Sequence, residues 1–265
     1  MRARIAGAGR GARWLADGWR LFRAAPLGWL ALIFVYWLLM SLLSAVPLLG
    51  VVAAAMLVPG LSVGFMAAAR CVERGGKLEV GLLFDGFRNS PREQIVLGLA
   101  YCASLAAVMA ATMLVDGGAL AEWLVTGRRP ADDVLYSDAF SRAMLAAALL
   151  YLPVMMMFWF APPLAAWHST GPVKALFFSL VAFVMNWRGF LAYGAVTALV
   201  LMVVPFVALT LLTLAGGGAA RPAAVAFAFP LVVLLMPTLF ASFYASYRDV
   251  FGAERPGPEE PAAPA

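Results

Sequence analysis

Trp19-Arg20-Leu21-Phe22-Arg23-Ala24-Ala25-Pro26 decides the reading of this chain, because a near copy stands at Phe84-Asp85-Gly86-Phe87-Arg88-Asn89-Ser90-Pro91. Trp19 matches Phe84, Phe22 matches Phe87, Arg23 matches Arg88 and Pro26 matches Pro91. The two aromatics of each copy are three residues apart, which places them on one face of a helix. Proline opens a helix readily, since the first turn needs no amide donor there. Behind each proline comes an apolar run long enough to cross a membrane. Each copy thus reads as a membrane-surface segment that hands over to a spanning helix.

Composition agrees with a membrane setting. Hydrophobic residues make up 64% of the chain, charged residues 12%, and mean hydropathy is +0.89, far above a soluble domain. A transmembrane barrel would alternate apolar and polar residues over segments of about ten residues. Here the apolar runs are continuous, so the fold class is all-α, a polytopic transmembrane helical bundle. Many of the tryptophans and tyrosines stand near run ends, as membrane interfaces favour.

Residues 1–25 carry six arginines against one acid, Asp17. The following run is a full span without a small-residue cleavage site, so the N-terminus is read as mature protein. Trp14, Leu15, Gly18, Trp19 and Phe22 fall on one helical face, with Arg13, Asp17 and Arg20 opposite. That pattern predicts a helix lying in the headgroup layer. Six spans are expected, at about 26–46, 51–69, 94–115, 140–167, 189–214 and 223–247. Pro47 to Gly50 and Gly216 to Gly218 are read as turns. The second span holds Pro59, expected to kink it, and Gly60 and Gly64 at four-residue spacing, expected to admit a neighbouring helix closely. Residues 78–90 should form a second surface helix with Leu82, Leu83, Gly86 and Phe87 on one face, and 172–186 a third surface or re-entrant one. A single transmembrane domain covers 1–250, and the Pro-rich, acidic 251–265 reads as a disordered tail.

Fifteen lysines and arginines fall on the side of the N-terminus, the 70–93 and 168–188 loops and the C-terminus, against four on the other side. The positive-inside rule then places both termini in the cytoplasm. Pro59, Pro163 and Pro237 each precede a cation (Arg70, Lys174, Arg248) by eleven residues. This spacing suggests a parallel threefold repeat with units 11–70, 78–174 and 175–248. The third copy of the opening motif, Asn186-Trp187-Arg188, lacks its proline.

The surface motifs, six spans and the Pro-Gly of the second span resemble a widespread, uncharacterised family of proteobacterial six-helix inner-membrane proteins. More distantly they are similar to the membrane domain that accompanies some glycerophosphodiester phosphodiesterases. The resemblance implies a bacterial inner-membrane location and brings no activity.

The chemical inventory points to no enzyme. No acid or base stands near the centre of a span, where charge is costly and kept for a use. One histidine, His168, and two cysteines, Cys71 and Cys102, match no metal spacing, and no cofactor is expected. Both cysteines are read as free thiols. The arginines are interleaved with spans, which speaks for the membrane surface and against nucleic acid. The leading expectation is a non-enzymatic scaffold or accessory subunit. Anionic lipids, or another membrane protein or copy, would meet it at Trp19, Phe22, Arg23, Phe84, Phe87, Arg88, Trp187 and Arg188. The rival is a transporter or lipid-handling carrier that moves on Pro59, Pro163 and Pro237, with Tyr101, Ser104 and Thr112 lining a polar cleft.

Overall fold

Proline starts helices here as the motif predicts. The computed structural model describes residues 3–46, 48–216 and 221–252, with the side chains of 204–205, 208–209, 212–213, 215–216 and 221–234 outside that description. The elements in order are α1 (Ala8–Ala24), α2 (Pro26–Ser44), α3 (Leu49–Glu73), a 3-10 turn (Val80–Phe84), α4 (Asp85–Asn89), α5 (Pro91–Asp116), α6 (Ala119–Thr126), α7 (Asp132–Leu135), α8 (Asp138–His168), α9 (Pro172–Met185), α10 (Trp187–Gly216) and α11 (Arg221–Phe251). Pro26 and Pro91 stand at the starts of α2 and α5. The residues before them share one backbone conformation, φ −148° and ψ 60° at Ala25, φ −150° and ψ 64° at Ser90. The clash of a proline ring with its predecessor removes the helical region at both places. Asn186, followed by Trp187 in place of a proline, adopts φ −105° and ψ 18° instead.

Among the described residues α2, α3, α5 and α8 are long and apolar enough to cross a membrane, and the α9–α10 pair, bent by 79°, is so only when the two are taken together, as a broken span or a re-entrant loop. The expected sixth corresponds to α11, 31 residues long. Pro47, the end of the Gly216–Gly218 turn and the tail from 253 onward lie outside the described residues. Phe251, expected in the tail, ends α11 with its ring centroid 5.2 Å from that of Phe160.

The returning helices α3, α8 and α11 meet along an aromatic seam. Phe65 of α3 stacks on Phe240 of α11 at 4.0 Å, and Trp159 of α8 meets Phe243 edge-on at 4.6 Å. Pro59, Pro163 and Pro237 are all buried in these helices. Around them the shorter segments follow a rule: residues 80–89 lie on α3, α9 lies on α8, and α1 lies on α11 and α10. Each sits on the returning helix that precedes it, with α1 closing the ring on the last.

Gly60 and Gly64 admit a close neighbour, the segment 80–89 that carries the short helix α4: a Cβ at Gly60 would meet the Phe87 ring, and one at Gly64 the Leu83 carbonyl. One expectation is corrected: α1 does not turn its apolar face to lipid. Trp14 is fully buried against Phe190 and Tyr193 of α10, Gly18 touches the Thr238 carbonyl of α11, and Asp17, assigned to the polar face, is buried. Buried tryptophan area stabilises more against protein that supplies an acceptor for its N–H than against lipid tails, which supply none.

In α8, Pro162 and Pro163 supply no amide donors. Just before them the Ser179 hydroxyl of α9 accepts from the Phe160 amide at 2.9 Å and donates to the Met156 carbonyl at 2.8 Å. A side chain thus stands between the two ends of one i→i−4 pair, a recognised cause of helix bending. Buried Gln94 of α5 donates to the Pro162 carbonyl at 3.0 Å, tying a third helix to the break.

Candidate functional site: a charged cleft at the basic end

At the end of the bundle where the N-terminal segment, α1, α3 and α11 converge, a cleft of about 1120 Å³ is lined by polar side chains. Its floor is a network of guanidinium and carboxylate groups. Arg10 engages Asp249 through two nitrogens, Nε to Oδ2 at 2.9 Å and Nη2 to Oδ1 at 2.7 Å, and the Trp14 indole donates to Asp249 Oδ2 at 2.8 Å. Paired donors of this kind hold a carboxylate in both position and plane. Arg248 donates to Asp17 at 2.9 Å and also to Glu73, whose other oxygen accepts from the Tyr244 hydroxyl at 2.6 Å. Arg20 closes on Asp17 from one turn along α1. Asp17 is only 7% exposed, and the guanidinium groups of Arg10, Arg20 and Arg248 all lie within ion-pair distance of it, the partners that a buried carboxylate requires.

The N-terminal segment is laced to the same end. Arg4 N–H donates to the Val250 carbonyl at 2.7 Å, Ala6 N–H to Asn186 Oδ1 at 2.5 Å, and Asn186 Nδ2 to the Arg4 carbonyl at 3.1 Å. Arg4 and Arg74 also line the cleft, and neither has an ion pair among the described residues. The arrangement joins four segments and leaves cationic groups at the rim.

The residues singled out from the sequence are placed differently. Phe22 is buried, Trp19 is 43% exposed, and Arg23, Phe84, Arg88, Trp187 and Arg188 are exposed, while Phe87 is half-buried over Gly60. Arg23, Arg88 and Arg188 sit on α1, α4 and α10. Arg188 lies over the Trp187 ring at 5.4 Å. His168 bonds the Tyr247 hydroxyl at 2.6 Å. Tyr101 pairs with Tyr151 at 3.0 Å, and Ser104 and Thr112 bond carbonyls of their own helix. Cys71 and Cys102 are free, and among the described residues no group of His, Cys, Asp and Glu could hold a metal ion.

Sequence reasoning missed Asp17, Glu73, Asn186, Tyr244, Arg248 and Asp249 as a set. One signal was available: Asp17 is the single acid among the first 25 residues.

No family model and no solved structure matches the chain. The likeness to the phosphodiesterase-associated membrane domain therefore has no support there. The chain is 40% identical over 250 residues to a probable inner membrane protein of Burkholderia thailandensis, and the match covers 92% of each.

Proposed function

The chain belongs to the family of that bacterial inner-membrane protein, and on this premise we propose that it is a non-enzymatic scaffold or accessory subunit that gathers anionic lipid at its basic end. In this reading both termini face the cytoplasm, α6 and α7 face the periplasm, and the three units 11–70, 78–174 and 175–248 are repeats. The ring of short segments, each packed on the returning helix before it, supports the repeat. One observation carries the lipid reading. Arg23, Arg88 and Arg188 are exposed beside aromatic residues, and none is ion-paired among the described residues. Guanidinium groups so placed meet lipid phosphates at the headgroup level, with the rings beside them at the interface.

The test uses spin-labelled phosphatidylglycerol and phosphatidylcholine around the reconstituted protein. Replacing Arg23, Arg88 and Arg188 by Gln should lower the preference for phosphatidylglycerol in the immobilised lipid shell. An unchanged preference would remove the lipid reading. The rival carrier reading draws on the opened α8 ladder at Ser179. A cross-link that fixes α9 on α8 should then stop lipid movement between leaflets, and a scaffold would show no such movement to stop.

A further inference from the structure

A second cleft, apart from the charged one, lies between α1, α10 and α11 and holds about 310 Å³. Ala12, Leu15, Ala16 and Trp19 close one side, Val196 and Val200 of α10 and Leu239 of α11 the others. We infer that this cleft seats one acyl chain of an anionic phospholipid whose headgroup rests against the arginines of α1. The inference deepens the lipid reading above and rests on it.

Three observations select that occupant. Apart from Thr197 and Thr238, the walls that α10 and α11 supply are apolar, as an acyl chain requires. The α1 side is not apolar throughout. Ala12, Ala16, Trp19 and Arg23 fall at i, i+4, i+7 and i+11 on a single stripe, with exposed Arg13 and Arg20 beside it. Cationic groups therefore border the apolar cleft along one helix, which complements a molecule with an anionic head and an apolar tail. Lastly, Thr238 lines the cleft at 3% exposure, and its hydroxyl has no hydrogen-bond partner among the described residues. An orphaned buried hydroxyl costs free energy that an incoming acceptor recovers. Thr238 lies directly against α1, its carbonyl touching Gly18, where arginine-bearing helix gives way to apolar wall. A phospholipid carries its ester carbonyls in the same order, between phosphate and chains.

The experiment reconstitutes the full chain in phosphatidylcholine bilayers with a few per cent of phosphatidylglycerol bearing a diazirine on one acyl chain, and in parallel with the matching phosphatidylcholine probe. After irradiation, labelled peptides are mapped by mass spectrometry. The phosphatidylglycerol probe should label residues 12–19, 196–201 and 235–239 in preference to the phosphatidylcholine probe. Ala16→Phe, at an exposed position on the cleft side, should remove that labelling. Thr238→Val, nearly isosteric, should lower it by about threefold to tenfold, the worth of one hydrogen bond. Equal labelling by both probes, labelling that survives Ala16→Phe in a monodisperse protein, or a cross-link to a second copy in place of lipid would each overturn the proposal. Replacing Arg88 by Gln, on α4 and outside the cleft lining, separates the two readings. Lost shell preference with intact cleft labelling supports both, and unchanged shell preference with labelled cleft removes only the surface arginines.

Discussion

The two ends of this bundle are tied in opposite ways. At the basic end the polar contacts join residues far apart in the chain: Arg10 to Asp249, Arg248 to Asp17 and Glu73, Ala6 to Asn186. At the other end the hydrogen bonds and ion pairs among the described residues reach no further than four residues. Asp116 accepts from the amides of Gly118 at 2.9 Å and Leu120 at 2.7 Å, Arg129 pairs with Asp132 at 2.8 Å, and Ser137 caps Phe140 at 3.1 Å. A small cluster of Leu120, Phe140 and Ala143 is all the core that α6 and α7 share with α8. One end is closed by tertiary structure, the other folded from local turns, with glycines 117, 118 and 127 at positive φ. Damage at the first should spread through the molecule, and damage at the second should stay where it is made.

The largest effect is expected where backbones touch. Gly18→Leu and Gly64→Leu would drive side chains into the Thr238 and Leu83 carbonyls, which cannot swing aside. Each should cost about 3 kcal/mol or more, read as loss of monodisperse protein after detergent extraction. Asp17→Ala comes next. It removes the acceptor that Arg248 and Arg20 share, leaving Arg248 to Glu73, and should cost about 2 kcal/mol in denaturant-titrated unfolding, less than a fully buried pair because Arg248 is 27% exposed and Arg20 67%. Asp116→Ala removes the acceptor for two turn amides and should cost about 1 kcal/mol, with faster hydrogen exchange confined to 117–126. Arg129→Ala breaks a pair exposed at 61% and 72% and should change stability by less than about 0.5 kcal/mol. Equal costs for Asp17→Ala and Asp116→Ala would break the contrast, as would exchange at 117–126 that responds to Asp17.

The long apolar runs and the proline-led starts of α2 and α5 were legible, because hydropathy and the missing amide of proline act within a few residues. The matched φ and ψ at Ala25 and Ser90 were written in the same motif. What covers Gly60 and Gly64 was not legible. Small residues announce that something approaches closely, but not whether it is a spanning helix or the turn that follows twenty residues later. Asp17 misled for a related reason. A helical wheel sorts residues by polarity, and it cannot anticipate a guanidinium arriving from Arg248, 231 positions away. The apolar cleft was equally hidden, since its three walls come from both ends of the chain.

The Ser179 hydroxyl gives α8 and α9 a shared mechanical coordinate. While it occupies the place between Met156 and Phe160, one rung of α8 belongs to another helix, and the flanking Pro162 and Pro163 supply no rung of their own to resist. The hold of α9 on α8 at this level thus passes through a single oxygen atom, a bolt set into the backbone of its neighbour.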